Sequence, residues 1–150
     1  RRNPKEPQYP VDHPPRFGGN TRPTGDCVFR AGILMGDLAK NFSRYEFICH
    51  CGCGLDQVDP ELVAALQRLR NRIGRPIYVN SGCRCAAHNA AVRGARNSYH
   101  LRGMAADIHA DMNPVELGRT AAESGWFRGI IVHAWGVHVD IRPGRKYWRL

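Results

Sequence analysis

The chain lacks long hydrophobic runs and has few acidic residues. No stretch approaches the roughly 18 consecutive apolar residues that a transmembrane helix needs, so we expect no membrane insertion. The segment Arg1 to Pro10 has no apolar core of the kind found in signal peptides, so we expect no signal peptide in this sequence. Only 13 Asp and Glu residues oppose 22 Lys and Arg residues, which gives a net charge of +9.

This positive charge favours an anionic partner such as nucleic acid, acidic lipid or bacterial cell wall. A basic surface that serves only solubility is the alternative. No run of Lys or Arg exceeds two residues, and no nucleic-acid-binding motif is present, so we expect no nucleic-acid partner. With 150 residues and 43% hydrophobic content, the chain is sufficient for one core, and we expect a monomer.

The six cysteines permit more than one interpretation. They are residues 27, 49, 51, 53, 83 and 85. Disulfides are the favoured interpretation, and a second zinc site or free thiols are the alternatives. Cysteines two residues apart on an extended segment cannot easily bond each other. The disulfide interpretation and the zinc interpretation therefore both bring one group of cysteines, Cys49, Cys51 and Cys53, against another, Cys83 and Cys85.

The N-terminal region differs in composition from the rest of the chain. Six of the ten prolines and the pair Gly18-Gly19 lie in the first 26 residues, which show little apolar periodicity. We interpret residues 1–40 as an extended arm and lead-in, or as a tether in a longer protein, and residues 41–150 as the folded domain.

Capping residues and periodicity predict the elements of that domain. Predicted helices begin at the capping box Ser43-x-x-Glu46, at Asp59-Pro60, at Ala86 and at Asn113-Pro114. Gly74 is the predicted end of the second of these helices, and Gly125 is the predicted end of the fourth. Predicted strands are 76–80, 104–110, 130–132 and 137–141. This order predicts an α+β fold with helices packed on one side of a small antiparallel sheet.

Two of these strands carry the candidate site. Alternation places Asp107 and His109 on one face of the strand 104–110, and His138 and Asp140 on one face of the strand 137–141. If the two strands pair antiparallel, Asp107 lies opposite or diagonal to His138, with Cβ atoms roughly 5 to 8 Å apart. That separation suits a shared metal ion.

A third ligand precedes the first of these strands. His100 lies seven residues before Asp107, and Gly103 between them provides a turn. Two imidazoles and one carboxylate leave a coordination position open, as a catalytic zinc requires. The alternative is that His100 caps a loop and that Asp107 pairs with a Lys or Arg.

These residues carry a family resemblance. Ser98-x-His100-x-x-Gly103-x-Ala105-x-Asp107-Ile108 and Val137-His138-Val139-Asp140 resemble the signature of the zinc D-Ala-D-Ala peptidases. That family belongs to a wider group with the lysostaphin-type enzymes and the hedgehog domain. Further similar segments are Ser43 to Phe47, Cys51 to Gly54, Ser81 to Cys85 and His88-Asn89, so the resemblance extends from Asn41 to Leu150. It implies a hedgehog-like fold and one catalytic Zn2+ bound by His100, Asp107 and His138.

The resemblance also implies roles for neighbouring residues. His133 corresponds to a histidine that stabilises the tetrahedral intermediate, and Arg84 corresponds to an arginine that holds a substrate carboxylate. Ser98 and Trp135 are further candidates for substrate binding, although Trp135 also suits a packing role. Asp140 is a candidate for orienting the ligands, as is His109, with a surface salt bridge as the alternative for each.

One position departs from the family pattern. Members often carry an acidic general base three residues before the last zinc ligand, and here that position is Trp135. Either Asp140 or His133 takes the proton, or the site is slow or inactive.

The resemblance implies a zinc peptidase that cleaves stem peptides or cross-links of bacterial peptidoglycan, as a carboxypeptidase or an endopeptidase. We expect an extracytoplasmic protein of the periplasm, the cell wall or the secreted fraction, or a phage lysis or tail protein. The alternative function is a non-catalytic zinc-containing module that binds the cell wall or a partner.

Overall fold

The computed structural model describes residues 36–149, in which most helices come in the first half and the last three elements are strands. Two short 3₁₀-helices span Arg44–Phe47 and Tyr99–Arg102, and the first begins with the predicted capping box, where Ser43 N donates to Glu46 Oε2. The α-helices are α1 (Pro60–Ile73), α2 (Ala86–Ala91) and α3 (Pro114–Ser124). The strands are β1 (Ile77–Ser81), β2 (Ala105–Ala110), β3 (Gly129–His133), β4 (Gly136–Asp140) and β5 (Tyr147–Arg149). The predicted arm, up to residue 35, and Cys27 lie outside the described residues.

The helix ends follow the capping residues of the sequence. Asp59 and Asn113 each accept a hydrogen bond, 2.8 Å long, from the backbone N–H two residues further along. A proline occupies the first position of both helices, where no N–H is needed. Gly74 and Gly125 end α1 and α3 in the left-handed conformation, with φ of 65° and 71°. The predicted boundaries of these two helices are therefore confirmed.

The five strands form one mixed sheet in the order β1-β2-β4-β3-β5. Neighbouring strands are antiparallel except for β5, which lies parallel to β3 at the edge. The α+β class is confirmed, and the sheet is antiparallel as predicted except at β5, whose parallel pairing was not predicted. All three residues of β5 are exposed. Because the strand buries no face, its sequence lacks the alternation of apolar and polar residues by which a half-buried strand is recognised.

One face of the sheet packs against the helices. A Cβ atom on Gly118 of α3 would lie 2.4 Å from Val132 Cγ2, so α3 approaches this face very closely. Three members of the predicted apolar stripe of α1, Leu62, Leu66 and Leu69, are completely buried in the same core, and the fourth, Ile73, is partly buried against it. Helices α1 and α3 therefore pack on one side, as predicted.

The opposite face carries the candidate site. Asp107 pairs directly with His138 across β2 and β4, which confirms the closer of the two predicted arrangements. Cross-strand partners share a face of the sheet. Because His138 pairs with Ile131, and His133 lies two residues further along β3, His133 also points to this face. The hairpin turn at Ala134 and Trp135 reverses the chain, so that β4 runs back beside β3 and Gly136 pairs with His133.

Gly103 fixes the turn between His100 and β2, and its substitution tests how tightly that turn is held. Gly103 and Gly74 share a φ of 65°, but a Cβ on Gly103 would lie 2.5 Å from Gln57 O, whereas one on Gly74 would meet nothing within 4 Å. We expect Gly74→Ala to lower the free energy of unfolding by about 1–2 kcal/mol, from backbone strain alone. Gly103→Ala adds a steric clash and should cost about 2–5 kcal/mol.

Urea denaturation of the two variants beside the wild type measures this difference. Equal losses of stability in the two variants would show that contact with Gln57 does not constrain the turn.

Candidate metal centre

Three ligand atoms converge on the face of the sheet opposite α3. Asp107 Oδ1 lies 3.2 Å from His100 Nε2 and 2.9 Å from His138 Nδ1, and the two nitrogens are 3.1 Å apart. A tetrahedral zinc ion with bonds of about 2.0 to 2.1 Å separates its ligand atoms by about 3.3 Å. The three atoms therefore already stand close to the spacing that zinc imposes, and the structure brings together the three ligands predicted from the sequence.

His100 is held by the second 3₁₀-helix and is almost completely buried. Ser98 caps this helix, its Oγ accepting a hydrogen bond from His100 N at 3.4 Å. The ring nitrogen Nδ1 donates to Gly82 O at 2.6 Å, because a carbonyl oxygen can only accept. The other ring nitrogen, Nε2, points to Asp107 and His138: without a metal it can donate to Asp107 Oδ1, and once deprotonated it offers its lone pair to a metal.

His138 is oriented in the same manner by a carboxylate. Its Nε2 donates to Asp140 Oδ2 at 3.2 Å, which leaves Nδ1 directed at Asp107. Burial opposes the charged form of His138, but hydrogen bonds to Asp107 and Asp140 outweigh it and raise the pKa of the metal-free imidazole to about 9. Each histidine thus gives one nitrogen to the centre and the other to an oxygen acceptor, as metal-binding histidines do. These residues fit a zinc ion.

Asp140 is a fully buried carboxylate held by an arginine. Arg142 donates from Nε to Oδ1 at 2.8 Å and from Nη2 to Oδ2 at 2.5 Å, and its guanidinium lies over the rings of Tyr99 and Tyr147. Burial alone would raise the pKa of Asp140, but the hydrogen bonds from Arg142 and His138 hold it well below its usual range. Gly129 leaves room for this carboxylate, since a Cβ there would lie 2.1 Å from Oδ2.

Arg84 holds the other oxygen of the aspartate ligand. Its Nη2 donates to Asp107 Oδ2 at 2.5 Å, and its Nε donates to Ser81 Oγ at 3.0 Å. Burial alone would raise the pKa of Asp107, but hydrogen bonds from His100 and His138 hold it well below its usual range. The aspartate is therefore ionised, as a metal ligand must be.

His133 and Trp135 form the rim of the face that carries the site. Their rings stack with centroids 4.8 Å apart, and Trp135 is 40% exposed in the hairpin turn. Burial and the nearby charge of His138 lower the pKa of His133, which favours its neutral form. His109, by contrast, turns away from the ligands: it donates to Asn80 Oδ1 and stacks on Tyr78.

Sequence reasoning missed Arg142, and although it offered a Lys or Arg beside Asp107 as an alternative, it did not identify Arg84 as that residue. Arg142 lies two residues after Asp140, so continued alternation offered a weak signal that it shares a face with that carboxylate. No local pattern indicated the pairing of Arg84 with Asp107, because these residues are 23 positions apart.

The cysteines form a second group. Sulfur atoms of Cys49, Cys51, Cys53 and Cys85 lie within 4.8 Å of one another. Cys83 does not belong to this group, contrary to the prediction, because its thiol donates to two backbone carbonyls, those of Phe47 and Leu55. All five cysteines in the described part of the chain are free thiols, so the structure does not support the predicted disulfides.

A family model described as Peptidase M15 matches residues 40–140, two thirds of the chain, including all three candidate ligands. The chain therefore belongs to the Peptidase M15 family, a zinc-dependent family of D-Ala-D-Ala carboxypeptidase-like metallopeptidases whose members are typically extracytoplasmic. A search of curated proteins finds no match. Within residues 36–149, no helix has the length and apolar character needed to cross a bilayer.

The hydrogen bond from His138 to Asp140 predicts a role in metal affinity. We expect Asp140→Asn to weaken zinc binding at this centre by about 10- to 100-fold, because the amide orients the imidazole less well than the carboxylate. Asp111→Asn, which changes an exposed aspartate elsewhere, is the matched control and should leave affinity unchanged.

Competition with a chromogenic chelator measures the affinity. The variant His138→Ala, which lacks one ligand, shows how much zinc binds elsewhere on the protein. Unchanged affinity in Asp140→Asn would contradict an orienting role for this carboxylate.

Proposed function

We propose that the protein is a zinc peptidase that cleaves peptidoglycan stem peptides or cross-links, as a D-Ala-D-Ala carboxypeptidase or a DD-endopeptidase. The observation that carries this proposal is the convergence of His100, Asp107 and His138 in a member of the Peptidase M15 family. When bound, zinc supplies a Lewis acid that polarises a peptide carbonyl and makes water more acidic. His100, Asp107 and His138 would hold the ion, and three protein ligands are the number that leaves a catalytic zinc accessible to water or substrate.

Positive charge supports an anionic polymer as the substrate. The net charge of +9 favours association with the bacterial cell wall, and Arg84 lies beside the centre. A guanidinium has five N–H donors, so Arg84 can brace Asp107 and still bind a substrate carboxylate. Ser98, at the start of the helix that bears His100, and the exposed ring of Trp135 are the neighbouring surfaces that we assign to the peptide.

His133 is the better placed of the two candidate proton acceptors. Asp140 is completely buried, and both its oxygens accept hydrogen bonds from Arg142, so it is poorly placed to take a proton from water or substrate. His133 is partly exposed on the same face as the ligands, and its lowered pKa favours a neutral ring that can accept a proton. We therefore assign proton transfer, or stabilisation of the tetrahedral intermediate, to His133 and ligand orientation to Asp140.

Incubation of zinc-loaded protein with purified peptidoglycan tests the proposed activity. We expect the wild type to release D-alanine or to expose new amino groups, and mass spectrometry of the products identifies the bond. His138→Ala should abolish release, because it removes a ligand. His109→Ala should retain it, since this histidine of β2 contacts Asn80 and Tyr78 instead. Absence of cleavage by zinc-loaded wild type would refute the peptidase activity on this polymer.

The role of His133 is tested by the same assay at full zinc loading. We expect His133→Ala to lower kcat by about 100- to 10,000-fold, the usual contribution of a positioned acid or base, with zinc content unchanged. A kcat equal to that of the wild type would exclude His133 from the chemistry.

A second candidate function is a non-catalytic module that binds the cell wall and keeps zinc as a structural element. Trp135 favours it, because this position carries an acidic residue in many catalytic relatives. This function predicts zinc binding and co-sedimentation with peptidoglycan, loss of thermal stability in His100→Ala, and no cleavage. Cleavage that depends on His138 would exclude it.

A further inference from the structure

We propose that Cys49, Cys51, Cys53 and Cys85 bind a second zinc ion, in a structural site that shares no ligand with the histidine centre. Four thiolates that surround one metal make a closed tetrahedral site, the arrangement of structural rather than catalytic zinc. Sulfur ligands also select zinc over harder cations such as magnesium or calcium.

Distances between the sulfur atoms fit a shared metal. Cys51 Sγ lies 3.5 Å from Cys49 Sγ and 3.5 Å from Cys85 Sγ, and all four sulfurs fall within 4.8 Å of one another. A tetrahedral ion with zinc–sulfur bonds of about 2.3 Å separates its ligands by about 3.8 Å. A disulfide would require about 2.05 Å and would join only two of the four.

The backbone between the first three cysteines is shaped to gather their sulfurs. Cys49, Cys51 and Cys53 lie in a loop of turns and bends rather than in a strand, so the path of this loop decides how closely their sulfurs approach. Gly52 and Gly54, which follow Cys51 and Cys53, have φ of 80° and 79° and curl the loop. A Cβ at either glycine would meet nothing within 4 Å, so the requirement for glycine here is conformational.

Donors surround the sulfurs as they do in metal–thiolate sites. Cys49 Sγ accepts from the backbone N of Cys85, and Cys85 Sγ accepts from the backbone N of His88, both at 3.3 Å. His88 Nδ1 lies 3.2 Å from Cys49 Sγ and adds a third polar partner. Hydrogen bonds of this kind orient ligands and stabilise their charged form.

A metal here would fix the segment that supports the histidine centre. Cys85 directly follows Arg84, whose side chain braces Asp107 and whose backbone N donates to His100 O at 3.0 Å. The other three ligands lie in the loop after the first 3₁₀-helix. Zinc would therefore join this loop to the segment 82–85 and hold Arg84 in place.

Metal analysis of the full chain, purified without chelator, tests the proposal. We expect about two zinc ions per wild-type chain and about one in the double variant Cys51→Ser/Cys53→Ser. Cys83→Ser is the matched control and should keep both, because its hydroxyl can still donate to the carbonyls of Phe47 and Leu55. A double variant with the wild-type zinc content would overturn the site.

Cobalt substitution separates this proposal from the proposed peptidase function. Cobalt-loaded wild type and His138→Ala should both show thiolate-to-metal charge-transfer absorption, which the histidine centre cannot produce. This readout requires neither hydrolysis nor a folded cysteine variant. Absence of the band from both proteins would overturn the proposal, even if peptidoglycan is cleaved. Peptide mapping of protein denatured with a chelator and without reductant should find the four thiols alkylatable, and a disulfide joining any two of them would also overturn it.

Discussion

The direct pairing of Asp107 with His138 across β2 and β4 brings an aspartate and a histidine to the face of the sheet opposite α3. Asp107 Oδ1 contacts both histidines, while Oδ2 receives the guanidinium of Arg84. A shift of one residue in this register would turn every side chain of β2 to the other face. The centre therefore depends on the same register that buries Ile108 and Val137 against the helices.

A layer of hydrogen-bond partners then sets the direction of each ligand. Gly82 O holds His100, and the buried carboxylate of Asp140 holds His138. Arg142 pairs with Asp140 and so offsets the cost of completely burying this carboxylate. The segment from Gly82 to Cys85 connects this layer to the cysteine cluster, so the two groups of potential metal ligands stabilise a common piece of backbone.

Local signals in the sequence predicted the parts of the fold that depend on neighbouring residues. Helix caps at Asp59 and Asn113 and alternation around Asp107 and His138 required only short-range rules. The edge strand β5 was missed because it is exposed throughout, and the contact of Arg84 with Asp107 was missed because it joins distant segments. Cysteine spacing brought the right segments together, but it could not show that Cys83 turns to backbone carbonyls while Cys85 joins the cluster.

The central claim is that His100, Asp107 and His138 bind one zinc ion together. Anomalous X-ray diffraction from crystals of the chelator-free protein, recorded on both sides of the zinc absorption edge, tests it most directly. The account predicts a zinc peak about 2.0 to 2.2 Å from His100 Nε2, Asp107 Oδ1 and His138 Nδ1. A map with no zinc among these three atoms, or with zinc bound by other side chains of this face, would contradict it.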